Sequence, residues 1–239
     1  MKQAPRIAGP VFICAMTIAE TLMKASAMSQ PKVTIWGRAN SVNVQKVLWC
    51  AHEINLAMTR VDAGMAFGHN DQPHYLTMNP NGRIPTLVEG DFVLWESNAI
   101  MRYLVLAHGH DSTIYPSAPK LRAGIERWLD WTLSTLQPAE RPVFWGLVRT
   151  PLAERDVVAL QRDADSVAKL WRMIDTQLDG REVLEGDNFS LADLAIATYA
   201  RRWFGVEGVE KPALPNLARW YDRVAARPGF IEIVSPPLS

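Results

Sequence analysis

Asn79-Pro80-Asn81-Gly82-Arg83-Ile84-Pro85-Thr86-Leu87-Val88-Glu89-Gly90-Asp91-Phe92-Val93-Leu94-Trp95-Glu96-Ser97-Asn98-Ala99-Ile100-Met101 is the stretch around which this chain is organised. Asn-Pro-Asn-Gly reads as a turn, because proline fixes φ while Asn and Gly tolerate positive φ. Ile84-Pro85 then enters a short apolar run, Thr86 to Val88, and Glu89-Gly90-Asp91 turns it back into Phe92-Val93-Leu94. That is a hairpin with a proline at the mouth of its first strand, where a missing N–H does least harm. Ser97 and Asn98 are good N-caps for a following helix with apolar positions Ile100, Tyr103, Leu104 and Leu106.

Turn, strand-mouth proline, hairpin and capped helix together form the C-terminal half of a thioredoxin-like domain. The combination Asn-Pro-x-Gly-x-Ile-Pro-Thr-Leu and, some ten residues on, Glu-Ser-x-Ala-Ile resembles the glutathione transferase family. The resemblance implies that Pro85 is cis and that the backbone beside it, at Ile84, pairs with the cysteinyl part of glutathione. It also implies that Glu96 and Ser97 take the γ-glutamyl amine and carboxylate. The chemistry agrees, since helix-terminal N–H groups and a hydroxyl suit an anion and a carboxylate suits an ammonium.

Upstream, Val33-Thr34-Ile35-Trp36 is a β-branched and aromatic strand ended by Gly37, and Arg38 to Ser41 is a polar loop. From Asn43, the positions Val44, Val47, Leu48 and Ala51 recur at helical spacing. A thioredoxin carries Cys-x-x-Cys at this loop-to-helix junction. Here the junction reads Ser41-Val42-Asn43-Val44, which excludes dithiol exchange by the protein's own sulfurs. By resemblance to the theta-type pattern, Ser41 leads as the hydroxyl that lowers the pKa of the glutathione thiol. Asn43 stands second, because a related bacterial group relies on an Asn amide. A hydroxyl or amide donating to a thiolate at a helix N-terminus favours the charged form. Met58 to Val61 is a second strand, and Pro73 to Leu76 a helical turn. Asn70 falls where theta-type sequences place a His on the glycyl carboxylate of glutathione, and Arg83 where they place a Lys.

Domain boundaries follow from breakers. Residues 1–30 form an extension outside the core, 31–107 the thioredoxin-like domain, 108–119 a linker and 120–239 an all-helical domain. In that last part Ile125, Trp128, Leu129, Thr132, Leu133 and Leu136 make one stripe, expected to break at Pro138 and to be followed by an irregular segment from Pro142 to Pro151. Trp131 lies about a third of a turn off the stripe. Val157 to Leu178 forms a long amphipathic helix stopped at Gly180. Ser190 and Asp193 read as a capping box with Phe189 stapled on Leu194, a device the family also carries. Pro215 to Ala226 is a last helix.

The extension admits three readings. Ile7 to Ala19 is apolar, and Ala25-Ser26-Ala27 is similar to a signal-peptidase site, but Glu20, Lys24 and Pro10 interrupt it. The run is too short to span a bilayer. A disordered or loosely helical extension is the second reading, and the favoured one is that the working protein starts at Met28.

The 25 basic and 25 acidic residues balance, which argues against a nucleic-acid partner. Cys14 and Cys50 make neither a disulfide framework nor a metal spacing, and His52, His69 and His74 are no metal constellation. A reducing, cytoplasmic setting without a metal follows. The whole points to a glutathione transferase for detoxification, glutathione being the co-substrate, with a small hydrophobic electrophile lying against Trp131, Thr135 and Trp145. The family implies a homodimer. A glutathione-dependent disulfide reductase and a non-catalytic glutathione-binding module are the rivals.

Overall fold

The computed structural model describes residues 32–110 and 112–239; the three readings of residues 1–30 therefore concern residues outside those described. The chain opens with β1 (Thr34–Trp36), α1 (Val42–Glu53) and β2 (Thr59–Val61), then α2 (Pro73–Met78), β3 (Thr86–Glu89), β4 (Phe92–Trp95) and α3 (Ser97–His108). The strand order is β2-β1-β3-β4, with β1 parallel to β2 and the rest antiparallel. This is a thioredoxin-like sheet. The β3–β4 hairpin pairs Glu89 with Phe92 across a two-residue turn whose Gly90 has φ +62. No helix or strand lies between Gly109 and Ala118 among the described residues. The helical half follows: α4 (Pro119–Trp131), α5 (Gln137–Phe144), α6 (Val157–Gln177), α7 (Leu191–Gly205) and α8 (Pro215–Ala225).

The core runs without interruption through both halves, and α7 lies at its centre. Every residue from Leu191 to Ala200 is buried, as expected of a helix apolar on all faces. One side of α1 packs on the sheet and α3, the other on α7. Hence Lys46, on the face that looks polar in sequence, is fully buried. Trp49 sits between Phe189 and Phe230, at 5.5 and 5.3 Å between ring centroids.

The capping box is present. Ser190 N and Oγ donate to Asp193 Oδ2 at 3.0 and 3.1 Å, and Ala192 N donates to Ser190 Oγ at 3.3 Å. Asp193 Oδ1 also accepts from Leu184 N and Trp220 Nε1, both at 2.9 Å. Burial pushes its carboxyl above the usual range while these donors pull it down.

Two expectations are corrected. The helix does not break at Pro138, and Pro142–Arg149 is not irregular. A π turn at Thr132–Leu136 joins α4 to α5, and a second follows at Trp145–Arg149. Pro138 comes directly after the π turn, whose wider ring already displaces the regular backbone bonding, and Pro142 deprives Pro138 O of a partner at a place where both prolines are exposed to solvent. The second correction concerns the start of α3. Glu96 holds the cap position at φ +73, Ser97 makes no cap bond, and Asn98 is a buried cross-link.

Candidate active site

The Asn79–Thr86 turn is held by side chains rather than by strand pairing. Asn79 Nδ2 donates to Arg83 O at 2.8 Å and to Thr86 Oγ1 at 3.0 Å. Tyr75 Oη donates to Arg83 O at 2.6 Å and lies 2.8 Å from Thr86 Oγ1. Burial raises the Tyr75 phenol above its ordinary value, so the hydroxyl stays protonated and able to donate. Asn70 Nδ2 donates to Gly82 O at 2.7 Å and braces the same turn. Within this knot the Ile84–Pro85 peptide is cis, as the family resemblance implied.

Next to the turn lies a cavity of about 450 Å³ between the two halves of the fold. Its thioredoxin-like wall is Asn43, Asn79, Asn81, Arg83, Ile84, Pro85, Glu96 and Ser97. Leu133, Gln137, Pro138, Arg141 and Pro142 form the helical wall, two ridges spaced by four residues. Asn43 stands in the first turn of α1, and Ser97 Oγ donates to its Oδ1 at 3.3 Å. That bond leaves the two Nδ2 hydrogens as donors. The positive φ of Glu96 is a strained conformation for a non-glycine residue, of the kind that gathers at binding sites.

Six of the eight residues assigned to catalysis or glutathione line this one cavity: Asn43, Arg83, Ile84, Pro85, Glu96 and Ser97. Ser41 does not. It is 7% exposed, occupies the N-cap position of α1 and makes no side-chain cap bond. Asn70 lies behind the wall on Gly82. Of the residues assigned to the electrophile, Trp131 is half-buried with its ring edge-to-face on Trp128 at 5.5 Å. Thr135 is half-buried beside Ser134, and neither lines the cavity. Trp145 lines a second hollow further along the same helix.

Asn79 and Asn81 read in the sequence only as turn formers. Leu133, Gln137 and Arg141 become visible as one face only once the helix is known to run through Pro138. Behind the cavity, Lys46 Nζ donates to Asn98 Oδ1 at 2.9 Å and lies 5.9 Å from the Tyr199 ring centre. Burial lowers the Lys46 amine to about 7, with Glu96 opposing the shift and Arg202 adding to it. Among the described residues no group of three or more His, Cys, Asp or Glu is placed to hold a metal ion, and no helix is long and apolar enough to cross a membrane.

Two family models match the chain: "Glutathione S-transferase, N-terminal domain" over residues 31–105 and "Glutathione S-transferase, C-terminal domain" over residues 99–228. Glutathione S-transferase GstB of Escherichia coli is 40% identical over 209 residues, covering 87% of this chain and all of that protein. Glutathione S-transferase 3 of Zea mays is 31% identical over 212 residues, 84% of this chain and 92% of its own. The theta class enzyme of Xanthomonas axonopodis pv. citri, solved with glutathione bound, is 44% identical with a TM-score of 0.83, covering 87% of this chain and all of that one. With both halves of the fold matched in order and these relatives aligned along 92% or more of their own length, this chain belongs to the glutathione S-transferase family.

Proposed function

We propose that the protein binds glutathione in the 450 Å³ cavity and conjugates its thiolate to small electrophiles. One observation carries the reading: the cavity's charged groups are two guanidinium groups, Arg83 and Arg141, and one carboxylate, Glu96. Glutathione is their complement, with two carboxylates and one ammonium. Ile84 offers backbone to the cysteinyl unit beside the cis proline, and the backbone N–H groups at the start of α3, from Ser97 on, take an α-carboxylate. Arg83 takes the glycyl carboxylate, with Asn70 acting through the turn it braces.

Asn43 is the group we place on the sulfur. Its amide hydrogens are free once Oδ1 accepts from Ser97, and the unpaired N–H groups of the first turn of α1 add their partial positive charge. Both favour thiolate over thiol. Ser41, one residue before the helix, serves second by shaping the same loop. No side chain is needed as a base, because the thiol proton passes to solvent when its pKa falls below the working pH. The thiolate then attacks the electrophilic carbon, and the leaving group departs with the bonding electrons.

Ultraviolet titration of bound glutathione tests this in the wild type, Ser41→Ala and Asn43→Ala. The thiol is expected to titrate at least about one unit below the 8.5 of a model thiol. Loss of that shift in Asn43→Ala with retention in Ser41→Ala is the expected pattern; the reverse puts Ser41 in the lead. No thiolate signal in any of them leaves a glutathione-binding module without catalysis.

The position of Asn43 on the wall also favours a second reading, a glutathione-dependent disulfide reductase on the same scaffold. Turnover of a glutathione-capped disulfide faster than any conjugation supports it. The family resemblance supports a homodimer in the cytoplasm, checked by sedimentation velocity and by cell fractionation.

A further inference from the structure

The second hollow, of about 520 Å³, lies further along the helix that walls the glutathione cavity. Arg38 and Asn40 enter it from the loop after β1, Met65 and Phe67 from the loop after β2, and Trp145 and Arg149 from the second π turn. The two share one helix as a wall, and Arg141 on the wall of the first stacks on Trp145 of the second, 5.2 Å from its ring centre. Met65, Phe67 and Trp145 are 56%, 50% and 41% exposed, so three large apolar side chains share one concave surface. Such a cluster is unusual on a surface without a binding role.

Its charge is equally one-sided. Among the described residues neither Arg38 nor Arg149 has an Asp or Glu side chain within salt-bridge distance, whereas the neighbouring Arg202 is paired with Glu140 at 3.1 Å. Arg38 Nε is buried with no hydrogen-bond partner. Burial, then the charges of Arg149 and Arg202, push the Arg38 guanidinium below its ordinary value, and burial, Arg202 and Arg141 do the same to Arg149. Arg149 stacks on Trp145 and Phe144, 4.7 and 5.5 Å from their ring centres, but no acidic side chain among the described residues neutralises it or Arg38, and mutually repelling cations of this kind suit an anion between them. The donors already reach for oxygen: Arg149 Nη2 donates to Ser239 O at 3.1 Å, and Asn40 Nδ2 to Ser239 Oγ at 2.7 Å.

We infer that the electrophile taken by this protein carries a carboxylate, held by Arg38 and Arg149 while its apolar body lies on Trp145, Met65 and Phe67. The inference rests on the conjugation reading above and replaces a neutral hydrophobic co-substrate by an anionic one. A planar carboxylate matches the fork of a guanidinium in a way a neutral amide does not. In the reaction the glutathione sulfur forms a bond to the electrophilic carbon as its bond to halide breaks. The halide leaves with the electron pair, and the thiol proton has already gone to solvent.

The test uses matched pairs on the whole chain. Glutathione-saturated protein is titrated calorimetrically with the inert 4-methylbenzoate and 4-methylbenzamide, and turnover is measured with 4-(chloromethyl)benzoate and 4-(chloromethyl)benzamide. The benzoates are expected to bind and react at least about tenfold better, as one charge-assisted hydrogen bond gives. Arg149→Gln and Arg38→Gln should each shrink that ratio without weakening glutathione. Equal affinity for benzoate and benzamide overturns the inference, and so does loss of glutathione affinity in Arg149→Gln, which would give the arginines to the tripeptide. Preferential benzoate binding with no turnover of either chloride upholds the anion site and removes the conjugation reading instead.

Discussion

Lys46 Nζ donates to Asn98 Oδ1 at 2.9 Å, and Asn98 Nδ2 passes on to Leu129 O at 2.8 Å, so one buried chain of hydrogen bonds stitches α1 to α3 and α3 to α4. Lys46 is the one basic group in that chain, and its amine is lowered from 10.5 to about 7. Between those two values the unfolded chain holds a proton that the folded one has released, so stability rises with pH across that window. Below about 7 both states are protonated and the penalty is level. Thermal melts of wild type and Lys46→Met from neutral pH upward should show a slope in the first that is flattened in the second; parallel curves would count against a neutral buried amine.

Asp193 is expected to be the most expensive single polar residue of the helical half. Asp193→Ala strands the Leu184 and Ser190 N–H groups and the Trp220 indole, and at about 1–3 kcal/mol for each buried orphan it should cost about 4 kcal/mol or more. Ser190→Ala removes one cap and should cost about 1 kcal/mol. Urea denaturation compares the two, and equal costs would mean that the cap, rather than the carboxylate's wider network, carries the stability.

Tyr75→Phe deletes the hydroxyl that braces Arg83 O and Thr86 Oγ1. A stability loss of about 1–2 kcal/mol is expected. Glutathione affinity should fall too, because Arg83 and Ile84 are placed by this knot. Calorimetric titration with glutathione at a temperature where the variant is fully folded checks it; unchanged affinity would show that Asn79 and Asn70 hold the turn without the Tyr75 hydroxyl.

Phe230 opens a last helical turn, Phe230–Val234, and packs on Trp49 and Tyr221 at 5.3 and 5.8 Å between ring centroids. Phe230→Ala empties a fully buried site and should cost about 3–5 kcal/mol in urea denaturation. Since Trp49 belongs to α1, the loss should be felt in both halves as one transition. Two separated transitions would mean that the halves unfold independently.

The Asn79–Met101 stretch was legible because its information is local. Proline, glycine and asparagine restrict their own backbone, so the turn, the hairpin and the proline at the strand mouth follow from residues within a few positions of one another. The Ser190–Asp193 cap is legible for the same reason. Lys46 was not, since only the docking of α7 on the far side of α1 buries it. Asn98 reads as a cap by residue type, yet its partners come from α1 and α4. Ser41 and Asn43 could be ranked only by which of them faces the cavity, a property of the junction's angle rather than of its wording. Arg38 and Arg149 lie in different halves, and nothing local announces that they meet.

The two π turns at Thr132–Leu136 and Trp145–Arg149 bear on how such a protein changes its taste. Each takes up one extra residue in a wider turn without interrupting the helix, so everything downstream keeps the facing of an α-helix one residue shorter. The first sets which side chains α5 offers to the glutathione cavity, and the second aims Arg149. Removing the extra residue at either turn would return that turn to α geometry with Val143, Phe144 and Leu147 still in the core, whereas the same change in a helix with no such turn would rotate them by about 100° out of it. Point mutation edits such a surface letter by letter; a one-codon deletion here is a change in length that the rest of the line can absorb.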